Sequence, residues 1–232
     1  HGDESPMGVK IESKWEKDGV MGEEISWWVG FGPRTHAYVL KPANAKSPLP
    51  GTVALHDHSD FKFYGKEKIA DGPQGTLPVL SEFRKGPYGG RAYANALARE
   101  GFVVLVHDVF LWGSRRFPLE TMLEMMGSKT TDLLKLRPAS NEIEEYNNAA
   151  YFHEHWVSKY CNILGTNMAG VVSFEDRVAL NYLLSRADVD TERVGCIGLS
   201  GGGNRAALLS ATHESIQATV IIGLMTTYQA LL

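Results

Sequence analysis

Residues 198–202 read Gly-Leu-Ser-Gly-Gly, a G-x-S-x-G pattern. A buried-type run from Arg193 to Leu199 leads directly into it, and an Ala/Leu-rich helical stretch, roughly Gly202 to Thr212, leads directly out. That strand–turn–helix context presents a serine hydroxyl at the end of a strand. The turn demands tiny residues where strand and helix pass, and Gly198, Gly201, Gly202 and Gly203 supply them. The chemistry this favours is nucleophilic attack by Ser200 on a carbonyl, with the Gly201 amide at the helix start facing the developing oxyanion. Two other readings compete. Ser200 can be an ordinary helix N-cap. Alternatively, Gly201 to Ala206 fits G-x-G-x-x-A, a dinucleotide fingerprint, which needs an acid at the end of the next strand. That strand ends near Gly223 to Met225, and no acid follows it.

A second set of polar residues clusters around two other strand ends. His56-x-His58-x-Asp60 resembles the start of the binuclear metal motif H-x-H-x-D-H, but Phe61 stands where the last histidine belongs. His107 and Asp108 end another apolar run and are further candidate ligands for such a metal-dependent hydrolase. Asp108 also lies on the edge where a substrate would sit, with Trp112 and Arg115 in the segment after it as candidate pocket walls. The alternative for Asp108 is a structural Asp–Arg pair fixing that loop. His153-x-His155 falls on a helical pattern, where i and i+2 diverge, and is expected at the surface. Of Trp27 and Trp28, neighbours on an early strand, one ring is expected inside and one outside.

A serine nucleophile needs a base, and the base needs a carboxylate to orient it. After Ser200 the chain offers only His213 and Glu214, at the far end of the following helix and about 15 Å away at 1.5 Å per residue. The base and its acid are therefore expected beyond Leu232, through truncation, or on a second chain completing the sheet. A degenerate binding protein is a further possibility, and His56, His58 and His107 are the in-chain substitutes.

The elements that must position these groups are legible from hydrophobic pattern. Val9 to Trp15 alternates apolar and polar, Ile25 to Phe31 and Ala37 to Leu40 follow, and Pro42 to Gly51 is a polar, Pro-rich loop. Thr52–Leu55, Phe102–Val106, Val194–Leu199 and Ala218–Gly223 are short continuous apolar runs, as in strands covered on both faces. Helical segments lie between them. Arg91 to Glu100 stops at Gly101, and a capping-box-like Ser173–Asp176 opens a helix with Leu180, Leu183, Leu184 and Ala187 on one face. The alternation argues an α/β parallel sheet with an antiparallel N-terminal edge. Residues 110–168, with Met122, Met125, Met126 and a long helical pattern from Asn141 to Leu164, break it. They form a lid-like insertion or an elaborated crossover within one domain spanning 1–232. The chain has 232 residues, 44% of them hydrophobic and 22% charged, with net charge −4, which excludes disorder and gives no electrostatic case for nucleic acid or an anionic membrane surface. No run reaches the ~18 apolar residues of a transmembrane helix. Cys161 and Cys196 are too few for a disulfide framework, and Cys196 reads as a buried hydrophobe. His1 is the first residue and no signal-peptide pattern follows, so a cytoplasmic protein and an exported one with its signal removed look alike.

Residues 198–211 (GLSGGGNRAALLSA), together with His56 to Gly72 (HDHSDFKFYGKEKIADG), resemble the α/β-hydrolase superfamily, nearest its acetyl xylan esterase and dienelactone-hydrolase-like branches. The resemblance covers most of the chain from about Val9. It implies an α/β-hydrolase-type, mostly parallel sheet with helices on both faces, whose C-terminal part is absent here. By that resemblance the second oxyanion amide comes from the loop after Thr52–Leu55, with His58 the best position and Asp57 its neighbour. The implied activity is ester hydrolysis through an acyl-enzyme. It needs no cofactor, and its partner is a small ester, with an acetylated carbohydrate as the candidate.

Overall fold

The computed structural model describes residues 4–46 and 48–223. The chain opens with β1 (Met7–Lys17), β2 (Val20–Trp28) and β3 (Thr35–Pro42), an antiparallel meander. Asp18 and Gly19 both have positive φ, 51° and 75°, the paired left-handed geometry of a tight hairpin turn. This turn starts β2 five residues earlier than its most apolar stretch suggests. β2 also ends at Trp28 rather than Phe31, and the Trp28 indole donates to the Gly32 carbonyl across the following bend. β4 (Leu49–Leu55), β5 (Val103–His107), β6 (Val189–Leu199) and β7 (Ala218–Ile222) complete the described sheet, in the order β1-β2-β3-β5-β4-β6-β7. β5, β4, β6 and β7 pair in parallel, and β3 joins them antiparallel.

Period-two alternation sends each strand's side chains to two cores. Val39, Val53 and Leu105 join one, roofed by α5 (Met168–Leu184) and α6 (Gly201–Thr212). Leu40, Ala54, Val104 and Val106 join the other, against α2 (Tyr93–Arg99) through Ala94 and Ala98. Gly101, at φ 100°, ends α2's turn as its left-handed C′ residue. A further short helix, α1 (Pro78–Lys85), carries proline in its first turn and escaped the hydrophobic reading because it is mostly polar. Trp27 is fully buried and Trp28 40% exposed, as their alternation requires. On β7, Val220, Ile221 and Ile222 are exposed within the described residues, unlike the doubly covered strand their run suggests. Residues 224–232 lie outside those residues.

The helix expected to open at Ser173–Asp176 begins instead at Met168. Asn167 caps it, accepting from the Gly170 amide at 2.7 Å. Ser173, Glu175 and Asp176 lie inside the helix and are buried, their polar groups spent on Arg177, Arg115 and Arg205. Between β5 and α5 the chain forms α3 (Leu119–Leu134) and α4 (Glu142–Ile163, capped by Asn141). These two pack through Met122, Met126, Tyr146, Ala149 and Ala150, with Phe63 and Phe117 against them. His153 is buried in this pair against Phe117, not at the surface, because its helix face is the one turned inward; His155 is exposed. Among the described residues, no helix is long and apolar enough to cross a membrane.

A Cβ at Gly202 would collide with the backbone carbonyl of Leu55, so helix α6 and strand β4 meet there backbone to backbone. Gly202→Ala is expected to cost at least the ~1–3 kcal/mol of an overpacked core, read as a lowered urea midpoint. An unchanged midpoint would show that this approach is not needed.

Candidate active site

Ser200 sits between β6 and α6 with φ 54° and ψ −120°, a conformation that L residues rarely hold. Although it occupies the N-cap position, its side chain makes no capping hydrogen bond, so capping does not account for the serine. Its amide donates to the Ile222 carbonyl at 2.7 Å, tying the turn to β7. One residue on, a Cβ at Gly201 would fall 2.7 Å from the amide nitrogen of His58. The two segments singled out in the sequence thus touch, and only glycine allows the approach.

The loop carrying His58 is held carbonyl by carbonyl. The His56 carbonyl accepts from Arg205 Nη1 at 3.2 Å. That of Asp57 accepts from Lys68 Nζ at 2.8 Å. The His58 carbonyl accepts from Trp112 Nε1 at 2.9 Å and from Lys68 at 3.3 Å. Lys68 also reaches Asp57 Oδ2 and Ser59 Oγ, both at 3.1 Å, while the Tyr88 hydroxyl donates to the other carboxylate oxygen of Asp57. With the carbonyls anchored, the amides of His58 and Gly201 have no hydrogen-bond partner among the described residues. Two unpaired N–H groups brought together beside a strained serine have the composition of an oxyanion hole.

The anchors are themselves buried and paired. Arg205 donates to both oxygens of Asp176, which also bonds His107 Nε2 at 2.9 Å. Burial pushes the Asp176 carboxyl up, but Arg205 and His107 outweigh it and hold it at about 2. Lys68 is fully buried, and desolvation brings its ammonium down to about 8 despite the Asp57 charge. Next to the hole lies a cavity of about 170 Å³, with Val109, Trp112, Met168, Val172 and Leu208 as apolar lining and Gly201 and His58 also lining it.

Of the residues predicted from sequence, Asp57, His58 and Trp112 line this cavity with Gly201. Asp108 does not. It is fully buried, accepting from the Lys66 amide at 2.7 Å and the Ser114 amide at 2.9 Å and pairing with the Lys66 ammonium at 3.2 Å. The structural alternative for Asp108 therefore describes its contacts, with lysine rather than arginine as partner. Arg115 likewise turns inward, to Glu175 and the Phe31 carbonyl. His56, His58 and Asp60 do not converge: His56 is buried with Nδ1 on the Asp57 carbonyl, His58 bonds Glu154, and Asp60 is exposed. Among the described residues no three His, Cys, Asp or Glu side chains group as a metal site. His213 bonds Asn181 at 3.1 Å. No described histidine hydrogen-bonds Ser200. Lys68, Tyr88, Glu154 and Arg205 were not singled out from sequence, where they read as ordinary polar residues, and Asp176 was read only as part of a helix-opening cap.

The chain is 18% identical to a Bacteroides fragilis protein classed as an acetyl xylan esterase, and the two structures superpose with a TM-score of 0.66 over 93% of this chain and 47% of that one. The fold is that of the α/β-hydrolases. Other structures sharing this α/β-hydrolase fold include a glucuronoyl esterase from Solibacter usitatus, 15% identical, with a TM-score of 0.54 over 93% of this chain and 51% of its own. Residues 173–230, which contain Ser200 and its turn, match the family described as BAAT / acyl-CoA thioester hydrolase C terminal. A Bacillus subtilis protein, YtaP, classed as a hydrolase, is 22% identical over 94% of this chain and 58% of its own length. The chain thus spans about half the length of the relatives it matches.

Proposed function

We propose that this α/β-hydrolase chain carries the nucleophile and oxyanion hole of a serine-dependent carboxylic ester hydrolase. The observation that carries the reading is the strained Ser200 beside two unpaired amides, those of Gly201 and His58. In the first step the bond from Ser200 Oγ to the acyl carbon forms as the carbonyl–alkoxy bond breaks, and the serine proton leaves with the alcohol. Water then cleaves the acyl-enzyme, giving the carboxylic acid and regenerating the serine. The hole stabilises the negative oxygen in both tetrahedral intermediates. The reading takes the proton acceptor and the carboxylate behind it from outside the described residues. A sugar-borne ester is the substrate class favoured by likeness to proteins classed as acetyl xylan and glucuronoyl esterases.

One observation favours an in-chain base as a second reading. His58 Nε2 and Glu154 Oε1 lie 2.7 Å apart, a base–carboxylate pair whose histidine lines the cavity. Burial pushes Glu154 up, yet its bonds to His58 and Lys62 bring it down to about 2, so it stays ionised behind the imidazole. Glu154→Gln should lower turnover by at least tenfold on this reading and leave it within twofold on the first.

A fluorophosphonate probe tests the nucleophile itself. The full-length protein is expected to take up one equivalent, and peptide mass spectrometry should place it on Ser200. Modification elsewhere, or none while ester is being hydrolysed, would overturn the serine mechanism.

A further inference from the structure

We propose that the cavity beside Gly201 and His58 is the acyl-binding site and that it takes a linear apolar acyl group of four to six carbons, larger than acetyl. The assignment rests on the serine hydrolase reading for its chemistry, but on the cavity's own shape for its content. Gly201 and His58 are among the residues that line it. An ester oxygen bound to their amides therefore leaves the carbonyl carbon's alkyl substituent beside the cavity.

The side chains of Val109, Trp112, Met168, Val172 and Leu208 supply an apolar lining. The charged groups at the cavity are already spent on one another: Asp176 on Arg205 and His107, Asp57 on Lys68 and Tyr88. The Ser173 hydroxyl is likewise taken by Arg177, at 2.9 Å. A charged ligand headgroup would find those partners occupied, whereas an alkyl chain displaces water at no such cost. Size sets the length. A dry protein cavity of ~150 Å³ accommodates benzene, and this one measures about 170 Å³. An acetyl methyl would leave most of that space empty and forfeit its contacts. A butyryl or hexanoyl chain fills it, and each methylene buried is worth about fourfold in affinity.

Two measurements on the full-length protein test this. The first is kcat/KM for p-nitrophenyl acetate, butyrate, hexanoate and decanoate. Butyrate should exceed acetate by roughly sixteenfold, two methylenes at about fourfold each, and hexanoate by more, with decanoate falling again. Leu208→Trp, which fills the cavity, should move the optimum to acetate. The second needs no turnover: with the Met168 methyl carbon-13 labelled, sodium butyrate should shift its resonance and sodium acetate should not. Acetate esters cleaved as well as butyrate esters, or a Met168 signal indifferent to butyrate, would each overturn the assignment. A Met168 shift in a protein whose Ser200 stays unmodified by fluorophosphonate would leave the cavity assigned and defeat only the hydrolase reading.

Discussion

Ser200→Ala is expected to cut kcat for a small activated ester by about a millionfold, the scale seen when a triad serine is removed, while leaving the fold intact. The second half of that expectation comes from the local geometry. The Ser200 side chain makes no capping bond, and its structural tie is its backbone amide, which donates to Ile222. Alanine keeps the Cβ and that amide, so the same strained backbone is held with no nucleophile on it. Ser200→Gly separates strain from chemistry further. The strain of a non-glycine residue at φ 54° is ~1–3 kcal/mol, and glycine relieves it at ~0.5–1 kcal/mol of extra chain entropy. The glycine variant should therefore be inactive yet melt at or above the parent's temperature. Substantial turnover in the alanine variant would sink the mechanism. If that turnover were abolished by EDTA, His56, His58 and Asp60 would return as metal-ligand candidates.

The strained serine was readable before any coordinates because its signal is local. Four glycines around one serine, between an apolar run and an Ala/Leu helix, specify a turn geometry that few other purposes require. The two cores were readable for the same reason: Thr52–Leu55 and Phe102–Val106 are short continuous apolar runs, the pattern of a doubly covered strand. What could not be read is long-range charge pairing. Asp176 looked like part of a capping box because Ser173 and Asp176 stand three apart, but Asn167 starts the helix earlier and frees the carboxylate to meet Arg205. Asp108 looked available at a strand end, and the lysine that neutralises it is 42 residues away in sequence, inside a segment that reads as polar loop. His153 was placed outside because its spacing to His155 says nothing about which helix face α3 covers. Lys68 is the most consequential case. Nothing in Gly-Lys-Glu-Lys signals that its last residue is fully buried beneath the oxyanion loop.

Lys68→Met is expected to lower kcat by ~10²–10³, the cost of losing one oxyanion donor, with KM changed less than threefold. Met approximates the length of the stem but offers nothing to the Asp57 and His58 carbonyls, and the His58 amide then loses its fixed direction. Such a variant is also destabilised, because the buried Asp57 carboxylate loses its cation and keeps only hydroxyl partners, Tyr88 and Ser59. A lower melting temperature alone would therefore not distinguish positioning from general support. The pH profile of the unmutated protein does. Lys68 carries its proton below about pH 8 in the folded chain and below 10.5 in the unfolded one. Between those values the unfolded state binds the extra proton, so this group's contribution to stability rises with pH across the window. Activity should move the other way. A neutral Lys68 has two N–H donors for four acceptors, and the loop loosens. Around the loop, burial raises Tyr88 and Tyr93 far above the range, and Asp57 is lowered by Lys68 and Tyr88 against the opposing effect of burial. Turnover should thus decline above about pH 8 with no matching fall in thermal stability from this group, and Lys68→Met should lack that alkaline limb. A flat kcat from pH 7 to 10, or the same limb in Lys68→Met, would refute the clamp.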